Sequence, residues 1–268
     1  MKYLCILISI IASHTVIAQK ASYKATQTPV KYSLDYLQES AMTVGNGEPK
    51  KSNRSVHLGF SVDGKTEQDS LVGNLHFTKS DARQKLQMGL QKVDTRNLNN
   101  KSFRFSVPLK GGSIKTQGKN PGVVLGTNAG GIMKLDDLFS YQFPELPDAA
   151  LKIGLEWKTS LVRGQIVGVA TITPELSLNH KITGMEQVMG IECYRIETNT
   201  NFTHETEVKI PQHPTPFDYE GTGAARLIWF FDPINGQVVK LTAIENASST
   251  IGMATISQET TIELVMVK

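Results

Sequence analysis

The sequence predicts an all-β protein, built as a single large curved antiparallel sheet or open β-barrel with one short helix and long loops. Apolar and polar residues alternate with a period of two along much of the chain, which is typical of strands with one buried face. Turn-forming residues separate these segments, and helical periodicity is scarce. Strands of this kind favour antiparallel pairing, because each buries one face and exposes the other.

The clearest alternating segments come in pairs. Residues 56–62 and 71–77 flank the polar turn at 63–66 and predict a hairpin. Residues 176–182 and 191–196 predict a second hairpin across the polar stretch between them. Residues 103–107 alternate in the same way before Pro108, which predicts one further strand.

One predicted strand is apolar on both faces. Residues 227–231 have the sequence Leu-Ile-Trp-Phe-Phe, so we expect this strand to be covered on both sides or to line an internal cavity. The turn Asp-Pro-Ile-Asn-Gly follows at 232–236, and residues 238–244 return as the partner strand. This is the strongest hairpin signal in the chain.

The helix candidate and the domain boundaries follow from the remaining segments. Residues 134–141 place Leu135, Leu138 and Phe139 on one helical face before Pro144 ends the pattern. The sequence contains no internal repeat and no low-complexity linker. We therefore expect one domain over residues 19–268, with two sub-sheets at 19–110 and 132–268 as the alternative.

Residues 1–18 have the three-part layout of a signal peptide. Lys2 provides the positive start, residues 4–11 the apolar run, and Val-Ile-Ala at 16–18 the cleavage pattern. Cleavage before Gln19 predicts an exported protein of the periplasm or the extracellular space. The apolar run falls short of the roughly 20 residues that span a membrane, so we expect no transmembrane segment after cleavage.

Charge and cysteine content argue against a nucleic-acid-binding protein and against a fold held together by disulfides. The formal net charge of the full chain is only +3, and no dense Lys/Arg cluster forms the basic surface that nucleic-acid binding requires. Only Cys193 remains after loss of the signal peptide, so no intrachain disulfide is expected. A chain of this length folds on core burial alone. We expect Cys193 to be a buried, inert thiol.

Three short motifs carry a resemblance to known families. They are the stretch from Phe-Pro-Glu-Leu-Pro at 143–147 to Trp157, the strand Gly-Ile-Glu-Cys-Tyr-Arg-Ile at 190–196, and the turn Phe-Asp-Pro-Ile-Asn-Gly at 231–236. In these motifs the chain resembles uncharacterised exported β-domain families of Gram-negative bacteria. More distantly, the sheet that this implies is similar to the open barrels of the lipoprotein-carrier (localisation-factor) superfamily, which hold acyl chains. Folds alone do not determine function.

The sequence offers little catalytic chemistry. It contains no nucleophile elbow, HExxH motif, P-loop, dinucleotide fingerprint or EF-hand loop. His57, His76 and His180 are expected on the polar, solvent-facing sides of strands. His204 lies on the opposite strand face from Glu205 and Glu207, which argues against a metal site. We therefore expect a protein without an enzymatic activity, a metal or a cofactor.

The candidate binding residues are aromatic. The apolar strand at 227–231 and the strand at 103–107 present side chains to the inner face of the predicted sheet, and the Pro-rich loop at 209–221 displays two more. Together they are Trp229, Phe231, Phe103, Phe105, Phe217 and Tyr219. The alternatives are a core role for the strand aromatics and a rigid crossover for the loop.

Three classes of function remain. The leading hypothesis is an exported binding module that holds an apolar, lipid-like small molecule or an envelope protein on its curved sheet. The alternative is a structural or assembly component of the cell envelope whose sheet is filled by its own side chains. A hydrolase with an unrecognised site comes third. A cavity above about 300 Å³ favours the first hypothesis over the second.

Overall fold

The computed structural model describes residues 20–86, 89–93, 95–117, 123–124, 132–133, 135–162, 165–167, 170–172, 175–208 and 217–267. The predicted signal peptide at 1–18 and most of the Pro-rich loop lie outside these residues. The first half of the chain forms strands β1 (Thr26–Val44), β2 (Lys50–Glu67), β3 (Ser70–Leu86), β4 (Gly89–Val93), β5 (Ser102–Pro108), β6 (Lys115–Thr116), β7 (Val123–Val124) and β8 (Ile132–Met133).

The second half begins with a helical turn, α1 (Leu135–Leu138). Eight more strands follow: β9 (Glu156–Val162), β10 (Gln165–Val167), β11 (Ala170–Ile172), β12 (Glu175–Val188), β13 (Ile191–Val208), β14 (Phe217–Asp232), β15 (Gln237–Ile251) and β16 (Ala254–Val267). The predicted helix at 134–141 is therefore present but shorter. Its three predicted face residues, Leu135, Leu138 and Phe139, are all buried.

Twelve of the strands form one open antiparallel sheet, which confirms the predicted fold class. Its order is β6-β5-β3-β2-β1-β16-β15-β14-β13-β12-β9, with β4 paired to β3. The first strand pairs with the last one, from Lys31 opposite Val267 to Val44 opposite Ala254. This pairing joins the strands β2–β6 to β9 and β12–β15 within a single sheet, while β10 pairs with β11 and β7 with β8 in two separate two-stranded sheets.

The three predicted hairpins are also confirmed. β2 pairs with β3, β12 with β13, and β14 with β15 across the Asp232–Gly236 turn. The side chain of Asp232 organises that turn, because Oδ1 accepts hydrogen bonds from the backbone N–H groups of Ile234 and Asn235. Gly236 completes it with a positive φ of 61°, a conformation that glycine adopts without strain.

One face of the sheet, called the inner face here, carries the hydrophobic core. Strand register aligns a row of large apolar side chains across six neighbouring strands, all at most 2% exposed. The row consists of Leu58, Leu34, Leu264, Leu241, Trp229 and Ile196. An apolar surface of this size needs a second layer to remove it from water.

The second layer is residues 135–155, called the plug here. Phe139 packs edge-on against Phe60 of β2, with ring centroids 5.1 Å apart. In the other half of the same face, Trp229 Nε1 donates to the carbonyl oxygen of Tyr141 at 2.7 Å. The Tyr141 hydroxyl donates to Glu245 Oε2 at 2.9 Å. The plug therefore lies across the inner face and contacts strands from both halves of the sheet.

The plug also connects the two open edges of the sheet. On the β5–β6 side, the N–H of Gly112 donates to the carbonyl oxygen of Phe143 at 2.7 Å. On the β9 side, Trp157 Nε1 donates to the carbonyl oxygen of Glu145 at 2.8 Å. Gly111 makes this approach feasible, since a Cβ there would overlap the Pro144 carbonyl and the Tyr23 ring. The curved sheet and the plug thus form one connected structure.

Candidate functional site

An apolar pocket, called the mouth pocket here, opens at one end of the inner face. Most of its lining residues come from the first residues of β1 and β15, from the ends of β2 and β3 next to the turn that joins them, and from the plug. Its apolar walls come from Tyr32, Phe60, Val62, Leu71, Phe143, Val238 and Leu264. The period-two alternation of the strands directs these side chains to one face, and the plug supplies the remaining wall.

Aromatic contacts shape the mouth pocket. Tyr32 stacks on Phe60 with ring centroids 5.6 Å apart. Phe143 of the plug lies between Tyr23, at 5.3 Å, and Phe105, at 6.2 Å. The Tyr23 hydroxyl donates to the carbonyl oxygen of Pro144 at 3.0 Å. Phe143 is therefore positioned by ring packing and by neighbouring backbone contacts.

The walls of the mouth pocket are uncharged. Burial raises the pKa of Tyr23 well above its usual value and also raises the pKa of Tyr32, so both phenols stay protonated. Charged groups lie at the rim, where Lys24 and Asp63 line the opening. Lys24 Nζ donates to the carbonyl oxygen of Ile234 at 2.7 Å. An apolar interior with a polar rim suits an apolar group with a polar end.

Gln142 is the unusual residue of the mouth pocket. Its side chain is only 4% exposed, and its Nε2 has no hydrogen-bond partner among the described residues. A buried amide donor without a partner costs about 1–3 kcal/mol. Gln142 can therefore donate to an acceptor atom placed in the pocket.

The free volume of the mouth pocket is about 40 Å³. Sites that hold drug-sized ligands have volumes of roughly 300–1,000 Å³, so a lipid-sized molecule does not fit beside Phe143 as it stands. Larger clefts lie elsewhere, for example about 620 Å³ beside Glu39 and Glu259 and about 960 Å³ beside residues 106–113. Both are open, and their walls mix polar and apolar surface.

Four of the six predicted binding residues lie on the inner face near the plug. Trp229, Phe231 and Phe105 are at most 1% exposed, and Phe103 is partly buried against the core. Tyr23 connects two of them, since it contacts Phe231 at 5.6 Å and Phe143 at 5.3 Å, and Phe143 contacts Phe105. Their role as ligand contacts stays a prediction.

The other two predicted residues lie at the opposite end of β14. Tyr219 is 3% exposed and packs over Gly221 rather than projecting from a loop. It is ten residues from Trp229, about 34 Å along an extended strand, so the structure does not bring the two together. The side chain of Phe217 and the loop residues 209–216 lie outside the described residues.

The expectation that His180 faces solvent is wrong. His180 is 2% exposed and stacks on Trp157, with centroids 4.8 Å apart. Its Nε2 lies 2.8 Å from Thr159 Oγ1 and its Nδ1 lies 2.6 Å from Thr198 Oγ1. His180 is two residues from Leu178 and two from Ile182, which both face inward. Side chains at this spacing on a strand point to the same face of the sheet.

The structure confirms that Cys193 is buried, with no exposed surface. Burial, followed by the charges of Asp232 and Glu192, raises the pKa of its thiol to about 12. Within the described residues, no group of three His, Cys, Asp or Glu side chains is arranged to hold a metal ion. The described part of the chain also has no helix long and apolar enough to cross a membrane.

Comparison with known proteins assigns no family. No family model matches the chain, and no curated protein matches it. Among solved structures, it is similar to lipovitellin, in a structure described as "Lipid-protein interactions in lipovitellin", with a TM-score of 0.46 and 10% sequence identity. That likeness covers 94% of this chain and 25% of the lipovitellin chain, so this chain spans about a quarter of its length. The resemblance to exported Gram-negative families stays a prediction.

The buried position of His180 predicts a pH-dependent stability. Burial lowers its pKa from 6.5 to about 4, so the unfolded chain binds a proton at a higher pH than the folded one. Stability should therefore be unaffected above pH 7 and fall as the pH drops from about 6.5 towards 4, by up to about 3 kcal/mol. Urea unfolding at pH 7 and pH 5 measures this.

A non-titrating ring isolates the contribution of His180. His180→Phe keeps the stack on Trp157 and should lose most of the difference between pH 7 and pH 5, although it is less stable at both. His76→Gln, at an exposed histidine, should keep the wild-type difference. An unchanged pH dependence in His180→Phe would contradict the assignment.

Proposed function

We propose that this protein is an exported, non-enzymatic binding protein that takes an apolar, lipid-like ligand at the mouth pocket. One observation carries the proposal: an apolar opening on the inner face contains a buried amide donor, Gln142 Nε2, without a partner among the described residues. An acyl chain would replace aromatic contacts of the plug, and its carbonyl or carboxylate oxygen would accept the Gln142 hydrogen bond.

Ligand uptake requires Phe143 to move. The pocket is too small to admit a chain beside it, and Phe143 lies on an irregular segment rather than in the sheet. Its side chain is half-buried, and its carbonyl oxygen accepts one hydrogen bond, from Gly112. Segments of this kind open at a lower free energy than the strands of a sheet. The plug therefore acts as an exchangeable cover for the inner face.

Export is the second part of the proposal. Residues 1–18 supply the pattern for translocation, and a chain with the single buried thiol Cys193 has no disulfide chemistry that an oxidising compartment would disturb. A lipid-binding protein of the envelope would operate where lipids must cross an aqueous space.

A self-filled envelope component is the competing function. It is favoured by the small volume of the mouth pocket and by the complete burial of Trp229, Phe105 and Phe231. In that case the plug is a permanent part of the core, and the protein acts through its outer surface. The two functions differ in whether the wild-type protein binds an apolar probe.

Export predicts a defined N-terminus. When the full-length gene is expressed in a Gram-negative host, the protein from the periplasm or medium should begin at Gln19, because the Val-Ile-Ala pattern directs cleavage there. Intact-mass spectrometry checks this. A chain that retains Met1, or that carries an acyl group, would refute the export proposal.

Removal of the Phe143 ring should improve ligand binding. The wild-type protein should bind a fluorescent fatty acid saturably. Phe143→Ala should lower the Kd about 10-fold, equivalent to about 1.4 kcal/mol, because the ligand no longer has to displace the ring. Fluorescence titration at constant ionic strength gives both constants.

Phe202→Ala is the matched control. Phe202 is a buried inner-face residue that packs over Gly223. Strand register aligns it with Ser40 of β1, which is eight residues, or about 27 Å along an extended strand, from Tyr32 of the mouth pocket. It should lose stability without a change in Kd. Gln142→Leu should weaken binding of the fatty acid but not of its methyl-capped hydrocarbon analogue. Absence of saturable binding in both the wild type and Phe143→Ala would favour the self-filled component.

A further inference from the structure

A row of polar side chains crosses the inner face below the apolar core. Register places Gln84 of β3 opposite Arg54 of β2, Arg54 opposite Gln38 of β1, and Gln38 opposite Thr260 of β16. The row continues from Thr260 to Glu245 of β15, Ala225 of β14 and Thr200 of β13. We call these aligned residues the polar row.

The polar row is buried apart from the partly exposed Arg54, yet three side-chain atoms of Gln84 and Thr200 have no hydrogen-bond partner among the described residues. Gln84 is 1% exposed and Thr200 is 2% exposed. Among the described residues, neither Nε2 nor Oε1 of Gln84 meets a hydrogen-bond partner, and the same is true of Thr200 Oγ1. Each unpaired buried group destabilises the fold.

A structural role does not require these residues. The adjacent row places Ala82, Val56, Tyr36, Ile262 and Ala243 at the matching positions, and apolar side chains of similar volume would satisfy the same register. The next row outward includes the partly exposed Ser52, Ser40, Gln258 and Ala247, which leaves access to the polar row on β1, β2 and β16. At the β13–β14 end of that row, the buried ring of Phe202 lies over Gly223. Polar groups kept at a cost to stability indicate a ligand.

We propose that the polar row binds a neutral polyhydroxylated group, such as a sugar or the headgroup of a glycolipid. The Gln84 amide offers one donor group and one acceptor, and the Thr200 hydroxyl offers both, so each matches sugar hydroxyls. The two lie six strands apart in the sheet, about 29 Å at the usual strand spacing, so each would contact a different part of the ligand. The row carries one cationic and one anionic side chain, Arg54 and Glu245, so it presents no excess charge that would select a charged headgroup.

This site is distinct from the mouth pocket. Arg54 lies six residues along β2 from Phe60, about 20 Å for an extended strand, and the filled apolar row with Leu58 and Leu34 separates the two. The plug contacts both sites, since Tyr141 donates to Glu245 of the polar row and Gln142 and Phe143 line the mouth pocket. Gln84 lies outside the mouth pocket, so a substitution there tests the polar row alone.

Two threonines on one strand provide a stability test. Thr198 and Thr200 both lie on the inner face of β13 and are at most 2% exposed. The Thr198 hydroxyl contacts His180, whereas the Thr200 hydroxyl has no partner within the residues that the structure describes. Thr200→Val should raise the urea midpoint of the ligand-free protein by roughly 0.5 M, and Thr198→Val should lower it. A lower midpoint for Thr200→Val would overturn the proposal, because the hydroxyl would then contribute to the fold.

Binding is tested by the thermal shift and by ligand-observed NMR, with methyl glucoside and with octyl glucoside below its micelle concentration. The wild type should bind at least one of them, and Gln84→Met should bind it at least 10-fold more weakly while keeping its fluorescent fatty acid Kd. Equal affinity for the two glucosides assigns a free sugar, and stronger binding of octyl glucoside assigns a glycolipid. Binding of neither by the wild type, or equal binding by Gln84→Met, would refute the site.

Discussion

The need to cover an open apolar sheet face is the constraint on which this structure depends. Twelve strands align a continuous row of Leu, Trp and Ile side chains on the inner face, and an open sheet leaves that face without a second sheet to cover it. The plug supplies the cover, held by the hydrogen bond from Trp229 to Tyr141 and by the packing of Phe139 on Phe60. The contacts at both edges of the sheet and one wall of the mouth pocket involve this cover.

The local structure followed from the sequence, but the plug did not. Alternation at 56–62 and 71–77 and the Asn-Gly turn before residue 237 identified hairpins correctly, because those signals depend on near neighbours. The β1–β16 pairing joins residues more than 200 positions apart, and no local pattern specifies it. The alternation of Tyr32, Leu34 and Tyr36 could have revealed β1 and part of the mouth pocket. Nothing in the sequence marks Gln142, which is distinguished only by its burial with a donor that has no partner in the described part of the chain.

The inner face has an apolar part and a polar part, and the plug contacts both, through Phe139 on Phe60 and through Tyr141 on Glu245. Trp229 and Phe105 are completely buried, whereas Gln84 and Gln142 carry buried groups without a partner among the described residues, and such groups raise the free energy of a fold. Both features occur on an open sheet face that is covered by the plug.

Hydrogen exchange with mass spectrometry tests the exchangeable cover most directly. Without ligand, the backbone of residues 139–146 should exchange faster than β1, β14 and β16, because the plug opens locally while the sheet opens only on global unfolding. A saturating fatty acid should increase exchange in residues 139–146 and leave those three strands unchanged. Exchange of the plug at the slow rate of the sheet, unaffected by fatty acid, would contradict the account.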